Sequence, residues 1–284
     1  MEFTEEKMER YSRHILLKDV GVEGQIKIME SRVLIIGAGG LGAPAALYLA
    51  AAGVGTIGIV DFDRVDLSNL QRQVIHFTKD IGTEKVLSAA EKMQAINPDV
   101  SIKAIHEFVR AENILGILDG WDFVIDGTDN FASKFLINDA CVMAAIPYSH
   151  GGILRFKGQT MTVVPGQSAC YRCVFSAPPP KDLVPTCSQA GILGAVAGML
   201  GTIQAAEALK HVIGIDGCLT DRLLTFNAMN MEFRNVAIRK REDCEICGDV
   251  PTIIELVDEE QQACDLKINA EYRMSNDTND KSSV

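Results

Sequence analysis

The chain has 284 residues, 47% hydrophobic and 23% charged, the ordinary balance of a soluble globular protein. Its net charge of −11 repels nucleic-acid phosphates and disfavours bulk DNA or RNA binding. No apolar run reaches about eighteen residues without a polar interruption, which argues against a membrane span. The length suits one large core, as one domain with excursions or two close-knit lobes.

The N-terminus, MEFTEEKMERYSRHILL, is charged and amphipathic. It lacks the apolar centre of a signal peptide, so a cytoplasmic location is expected. Residues 5–30 predict one or two helices, with Tyr11, Ile15 and Leu16 packed and Arg10, Arg13 and Lys18 wet. Two readings of this segment stand side by side. It covers the sheet, or it is an arm that carries an arginine to a phosphate.

Residues 33–42, VLIIGAGGLG, are the organising stretch of the chain. The four apolar residues read as a buried strand, and Gly37, Gly39 and Gly42 fit G-x-G-x-x-G. An Ala/Leu-rich helix over 43–52 comes next. A strand, a glycine turn and a helix start make a phosphate cradle, because the first helical amides are unpaired and lie at the positive end of the dipole. The second strand, residues 56–61, ends on Asp61, where a dinucleotide fold places an acid on the ribose hydroxyls.

The polar, irregular segment 63–73, DRVDLSNLQRQ, leads to Lys85 near the start of a helix that runs to about residue 96. A strand over 100–105, a short helix over 111–118 and a strand over 123–126 come after it. The next turn, DGTDN, sets Asp126, Asp129 and Asn130 at a strand's C-terminal end, where open α/β sheets bind ligands. A helix over 132–145 and a strand over 147–150 complete an alternation that predicts a doubly wound, mostly parallel sheet. Gly151-Gly152 is expected to break this pattern. After it come an antiparallel strand over 158–164, a proline-rich extended loop up to Cys187, a Gly/Ala/Leu-rich buried helix over 190–213, and antiparallel strands over 223–226 and 231–238. Residues 242–284 hold twelve acids and three bases and are expected to end in a disordered tail.

Eight cysteines in such a chain argue against a disulfide framework. Cys170/Cys173 and Cys244/Cys247 are two C-x-x-C units, together the four thiolates of a closed structural Zn2+ site. The alternative is two unrelated reduced pairs. Cys187 precedes the long helix, so its thiolate is favoured; the other reading is a small packing residue. The five histidines, His150 among them, form no recognisable metal or triad set.

A glycine loop with a later acid first suggests an NAD-dependent oxidoreductase. A zinc-stabilised binding module without chemistry is a third class. However, Arg72 and Lys85 are two cations just beyond the ribose acid, and Asp129 is a hard ligand of the kind Mg2+ takes. That set suits a triphosphate better than hydride transfer.

GAGGLG, VDFDRVDLSNLQRQ, Lys85, DGTDN, CYRC, TCSQAG and CEICG, in this order over residues 11–248, resemble the ThiF/MoeB/HesA adenylyltransferases, bacterial relatives of the ubiquitin-activating enzymes. The resemblance extends to the adenylyltransferase half of the eukaryotic molybdopterin-synthase sulfurtransferases and stops short of the rhodanese domain that comes after it there. It implies a Rossmann-like doubly wound, mostly parallel sheet continued by antiparallel strands, with a structural zinc site. Residues 1–30 would be a helical arm, 31–150 the ATP-binding part, 151–250 the zinc-pinned carrier-binding part and 251–284 an acidic, partly disordered tail.

The implied reaction joins ATP to the C-terminal Gly-Gly carboxylate of a small ubiquitin-like sulfur carrier, giving an acyl-adenylate and pyrophosphate. A sulfur donor, a cysteine desulfurase or a rhodanese-type protein, then leads to the thiocarboxylate used in thiamine or molybdopterin cofactor synthesis. Carried over by position, Gly40 lies in the phosphate loop and Asp61 holds the ribose. Ser68, Asn69, Leu70, Gln71 and Arg72 line the nucleotide, with Arg72 and Lys85 on phosphate. Asp129 serves Mg2+, with Asn130 beside it. Arg13 matches an arginine inserted into the neighbouring subunit's site, which implies a homodimer. Cys170, Cys173, Cys244 and Cys247 match the Zn2+ ligands, and Cys187 matches a loop cysteine that in some members bonds to the carrier's activated end.

Overall fold

The computed structural model describes residues 3–179 and 191–258. Three short helices open it: α1 (Glu5–Arg10), α2 (Ser12–Ile15) and α3 (Gly21–Glu30). Thr4 caps the first by accepting from the Lys7 amide. Tyr11 is buried, as expected, and its hydroxyl accepts from the Asn97 side chain at 2.8 Å. Leu16 differs from expectation, being 72% exposed. It follows α2 directly, and half-buried positions of that one-turn helix are taken by His14 and Ile15.

Next in the chain are β1 (Arg32–Ile36), α4 (Gly42–Ala52), β2 (Thr56–Val60), α5 (Lys85–Ile96), β3 (Ser101–Ile105), α6 (Ile114–Leu118), β4 (Phe123–Asp126) and α7 (Phe131–Met143). Then come β5 (Tyr148–Leu154), β6 (Lys157–Val163), α8 (Tyr171–Val174), α9 (Gly194–Ile213), β7 (Arg222–Asn227) and β8 (Glu232–Ala237). All eight strands form one sheet in the order β3-β2-β1-β4-β5-β6-β7-β8. Pairings from β3 across to β5 are parallel, and those from β5 across to β8 are antiparallel. This is the predicted mostly parallel sheet with an antiparallel continuation.

Successive residues of β1 serve opposite cores. Val33 and Ile35 join a cluster with α3, α4, α5 and α9, whereas Leu34 and Ile36 join one with α6 and α7. A strand covered on both faces needs an unbroken apolar run, which is what VLII supplies. Chain order reverses beside β1: β2 and β3 lie on one side, and β4 lies on the other. The crevice outside the C-terminal ends of β1 and β4 is therefore the switch point at which such sheets bind ligands.

Gly151-Gly152 does not end a strand. β5 runs through both glycines to Leu154 and pairs with β6 throughout. A Cβ at Gly151 would lie 2.7 Å from the Gln204 side chain of α9, so this glycine admits a neighbour instead of breaking the strand. α9 starts at Gly194, later than expected, and packs closely on α4: a Cβ at Gly201 would lie 2.2 Å from the Leu41 carbonyl oxygen. Part of the expected tail joins the core. Ile253 and Leu256 pack on the α6–α7 side, and Asp258 accepts from the Ala111 amide at 2.9 Å. Among the described residues no helix is long and apolar enough to cross a membrane.

Candidate functional site

The glycine loop fills the end of β1, and its glycines have different reasons to be there. Gly37 has φ +101°, and a Cβ on it would meet the Gly127 carbonyl oxygen at 2.8 Å. A Cβ on Gly42 would lie 1.8 Å from the Gly37 carbonyl oxygen. The fold itself demands both. Gly39 faces open room, its nearest neighbour Gln73 Nε2 at 3.8 Å from a Cβ. Gly40 is where three parts meet: a Cβ there would lie 3.2 Å from Ala197 of α9 and 3.5 Å from Arg72 Cγ.

Asp61 closes β2 and grips this loop. Its Oδ2 accepts from the Ala38 amide at 2.7 Å and its Oδ1 from the Asp63 amide at 2.8 Å. Burial pushes its carboxyl pKa up, and the positive charge of Lys85 opposes that shift. Lys85 opens α5, is buried, and donates to Asp63 Oδ2 at 2.7 Å. Burial disfavours its charge, but Asp61, Asp63 and Asp129 outweigh it and raise its pKa. Asp61, Asp63, Lys85 and Asp129 thus share one electrostatic neighbourhood, built from β2, α5 and the turn after β4.

The segment before Arg72 is a short 3-10 turn, Leu67–Asn69. Asp66 caps it, accepting from the Ser68 amide at 2.8 Å and hydroxyl at 2.6 Å, while Asn69 Oδ1 accepts from the Asp66 amide at 3.2 Å. Arg72 Nη1 donates to the Ser68 carbonyl at 3.0 Å. Among the described residues no carboxylate pairs with that guanidinium. Leu70 is half-buried and Gln71 exposed. The start of α9 closes on their backbone, a Cβ at Gly194 lying 2.1 Å from the Gln71 carbonyl oxygen.

On the β4 side, Asn130 caps α7 by accepting from the Ser133 amide at 2.8 Å. Asp129 is exposed, with no hydrogen bond or ion-pair contact among the described residues. Arg13 on α2 is exposed and has no such contact with the cleft of its own chain among the described residues. Cys187 lies outside the described residues.

One group of residues carries no local sequence pattern of its own. Lys134 of α7 reaches Asp126 Oδ2 at 3.1 Å and donates to the Thr128 carbonyl at 2.7 Å and to the Gly151 carbonyl. His150 Nδ1 lies 3.1 Å from the same Asp126 oxygen, and Asp126 Oδ1 accepts from the Thr128 amide and hydroxyl. Burial works against the Asp126 charge, yet Lys134 and His150 hold its carboxyl well below the usual carboxylate range. One signal was present: Lys134 interrupts an apolar helical run, FASKFLI, and a buried lysine needs an acid.

The four paired cysteines converge behind α7. Their Sγ atoms all lie within 4.8 Å of one another, with Cys170–Cys173 at 3.9 Å, Cys170–Cys244 at 3.6 Å and Cys173–Cys247 at 3.4 Å. Zn–S bonds of about 2.3 Å at tetrahedral angles give S···S edges of about 3.8 Å, so the donor set fits that ion. The knuckle is braced to α7. Arg172 donates to the Asp139 carboxylate at 2.8 and 2.7 Å, and the Tyr171 amide donates to Asn138 Oδ1 at 2.8 Å.

Fold and cleft together define a doubly wound α/β protein with a glycine-loop cleft at its switch point. A model of the ThiF family matches residues 11–246, and the chain belongs to that family. It is 43% identical over 265 residues to the sulfur carrier protein adenylyltransferase of Thermus thermophilus, covering 92% of this chain and 98% of that protein. It is 44% identical over 259 residues to the adenylyltransferase and sulfurtransferase MOCS3 of Culex quinquefasciatus, covering 91% of this chain. The chain spans about three fifths of the length of the insect relatives it matches. A crystal structure of E. coli MccB with ATP superposes with a TM-score of 0.75, at 22% identity over 84% of this chain and 75% of that one, a likeness of fold.

Proposed function

We propose that this chain is an ATP-dependent adenylyltransferase. Its substrate is the C-terminal Gly-Gly carboxylate of a small ubiquitin-like sulfur carrier protein. The products are the acyl-adenylate and pyrophosphate, and the activated carrier proceeds to a thiocarboxylate for thiamine or molybdopterin cofactor synthesis. The observation that carries this reading is the meeting of Arg72 with the glycine loop at Gly40, together with buried Lys85 and the aspartates it faces. The names of full-length relatives, such as the Thermus thermophilus protein, support it.

A carboxylate is a poor acyl donor because its leaving group would be oxide, and an AMP cap supplies a better one. The attacking carboxylate and the α-phosphate are both anionic, so positioning and cationic screening dominate over acid–base work. In this reading the loop amides and the start of α4 take the phosphates, and Asp61 takes the ribose. Ser68, Asn69, Leu70 and Gln71 line the nucleotide. Arg72 and Lys85 screen the phosphate charge while a carrier oxygen bonds to the α-phosphorus and the bond to pyrophosphate breaks. Asp129 would hold Mg2+, which neutralises the triphosphate, and Asn130 fixes the turn beside it. Cys170, Cys173, Cys244 and Cys247 would hold Zn2+, which pins the segment after β8 to α8 and has no part in the chemistry.

Arg13 completes the site of a second copy in a homodimer, since its own cleft makes no described use of it. The Cys187 thiolate attacks the activated acyl carbon and AMP leaves as the thioester forms. A persulfide on a donor of the cysteine desulfurase or rhodanese type then displaces the Cys187 thiolate, and a thiol reductant cleaves the resulting acyl disulfide to the thiocarboxylate. The cytoplasm is the compartment for this chemistry.

The test is exchange of labelled pyrophosphate into ATP, measured with and without Gly-Gly carriers. Carrier-dependent exchange that disappears in Arg72→Ala supports the proposal, and no exchange above background with any carrier sinks it. Tight NADH binding without ATP binding would point to an oxidoreductase. Carrier binding indifferent to ATP and to Asp129→Ala would point to a binding module. Full sulfur transfer by Cys187→Ala would remove that cysteine from the scheme.

A further inference from the structure

His76 is buried, 3% exposed, in the turn just after Arg72. Its Nε2 lies 3.0 Å from the carbonyl oxygen of Ala38, inside the glycine loop. A carbonyl only accepts, so Nε2 carries a hydrogen whether the ring is neutral or charged. The amide of the same Ala38 donates to Asp61 Oδ2 at 2.7 Å. Both polar groups of this one loop residue are therefore held, one by the ribose acid and one by the imidazole.

The peptide that joins Ala38 to Gly39 is planar and trans, so the Gly39 N–H points opposite to the Ala38 oxygen. With that oxygen turned inward to the buried ring, the Gly39 N–H turns outward. Among the described residues that N–H donates no hydrogen bond, and the space beside Gly39 is open. We propose that His76 is a positioning residue of the nucleotide site, which locks the Ala38–Gly39 peptide with the Gly39 amide presented to a phosphate oxygen. The inference rests on reading the cleft as an ATP site.

The ring is itself held from behind by the helix that carries Lys85. Nδ1 lies 2.9 Å from Ser88 Oγ, and Ser88 Oγ lies 2.9 Å from Asp80 Oδ2. The Lys92 ammonium reaches Asp80 Oδ2 at 2.6 Å and Ser88 Oγ at 3.2 Å. Burial lowers the imidazole pKa, and the charges of Lys85 and Lys92 lower it further against the pull of Asp80 and the Ala38 carbonyl. Nε2–H donates to Ala38 in either charge state of the ring, the Ser88 hydroxyl donates to Asp80 Oδ2, and Lys92 donates to both Asp80 and Ser88.

His76→Phe keeps a flat ring and removes the donor, whereas His76→Gln keeps an N–H of similar reach. ATP affinity is measured by calorimetry, and KM for ATP and kcat by carrier-dependent pyrophosphate exchange. In His76→Phe, Kd and KM for ATP rise about tenfold, the scale of one lost hydrogen bond to a buried carbonyl, while kcat at saturating ATP stays near wild type. His76→Gln recovers most of that loss. A His76→Phe protein that melts lower yet binds ATP as tightly as wild type would overturn the inference and leave the ATP reading intact. A wild-type protein that does not bind ATP would overturn both. Should the Phe variant not fold, 15N spectra of the wild-type imidazoles, with His76 identified by its loss in His76→Gln, report the tautomer. A hydrogen on Nε2 is the expected result, and one on Nδ1 alone overturns the proposal.

Discussion

Lys134 and Asp126 form a buried ion pair, 3.1 Å between Nζ and Oδ2, with side-chain exposures of 7% and 0%. The same ammonium holds the carbonyls of Thr128 and Gly151. It therefore joins the end of β4, the turn that displays Asp129, and the glycine stretch of β5. Lys134→Met keeps the aliphatic stem and leaves the Asp126 charge buried without its main partner. Breaking a buried pair from one side costs about 3–5 kcal/mol, to be read as a lower urea midpoint at pH 7.

The pH dependence of that loss is set by the direction of the Asp126 shift. Its folded pKa is depressed, with Lys134 and His150 overcoming the effect of burial. Such a group stabilises the fold above its unfolded value of about 3.9, and the contribution is lost as pH falls toward the folded value. The stability gap between wild type and Lys134→Met is thus widest near neutrality and narrows below about pH 4. Urea titrations at pH 7, 5 and 3 measure it. A gap that stays constant would mean that Lys134 acts through its two carbonyl contacts and not through the carboxylate.

The thiolate cluster makes a separate prediction. Freshly purified protein should contain one zinc per chain, and a chelator or Cys244→Ser should lower the melting temperature. A site at thousandfold ligand excess contributes about 4 kcal/mol by mass action. In a chain of this size that corresponds to roughly 8–16 °C. Because Arg172 and Tyr171 brace the knuckle to α7, the loss should extend to amide-exchange protection in α7 and not stop at residues 241–249. Metal analysis well below one zinc per chain would dismiss the site.

The parallel half of this fold was legible in the sequence because each of its signals is local. VLII is apolar without interruption, the glycines mark one turn, and Asp61 and DGTDN stand at strand ends. What escaped depends on residues that meet only after folding. Gly151-Gly152 reads as a break until Gln204, some fifty residues later, fills the space beside it. His76 and His150 look scattered because their partners, Ala38 and Asp126, lie 38 and 24 residues away. Leu16 reads as a core residue from its type, but it falls just past a one-turn helix in which His14 and Ile15 take half-buried places. Spacing brought the four cysteines together correctly, since metal-ligand pairs are themselves a local pattern.

Arg72 tests the chemistry apart from the stability. Among the described residues its guanidinium makes one partly solvated hydrogen bond, to the Ser68 carbonyl, so Arg72→Ala should melt within a few degrees of wild type. If Arg72 screens the phosphates as proposed, its loss should cost about 100- to 1000-fold in carrier-dependent exchange. Arg72→Lys keeps a charge but not the planar fork and should fall in between. Full activity in Arg72→Ala would remove the arginine from the phosphate site.

Two glycines of one motif should fail in opposite ways. At Gly42 a methyl would lie 1.8 Å from the Gly37 carbonyl oxygen and 3.1 Å from Ile35 Cγ2. Backbone cannot swing aside as a side chain can, so Gly42→Ala must shift either the loop or α4, at a cost of about 3 kcal/mol or more. At Gly39 the nearest atom to a methyl is Gln73 Nε2 at 3.8 Å, so Gly39→Ala should fold and melt like wild type. The methyl would instead occupy the room that a phosphate needs, and ATP affinity should fall by at least about tenfold, the scale of one lost charge-assisted contact. Melting curves and ATP titrations on the two variants separate the effects. If Gly39→Ala bound ATP as tightly as wild type, the phosphates would not sit over this loop, and the triphosphate site would have to be sought elsewhere along the C-terminal ends of the strands.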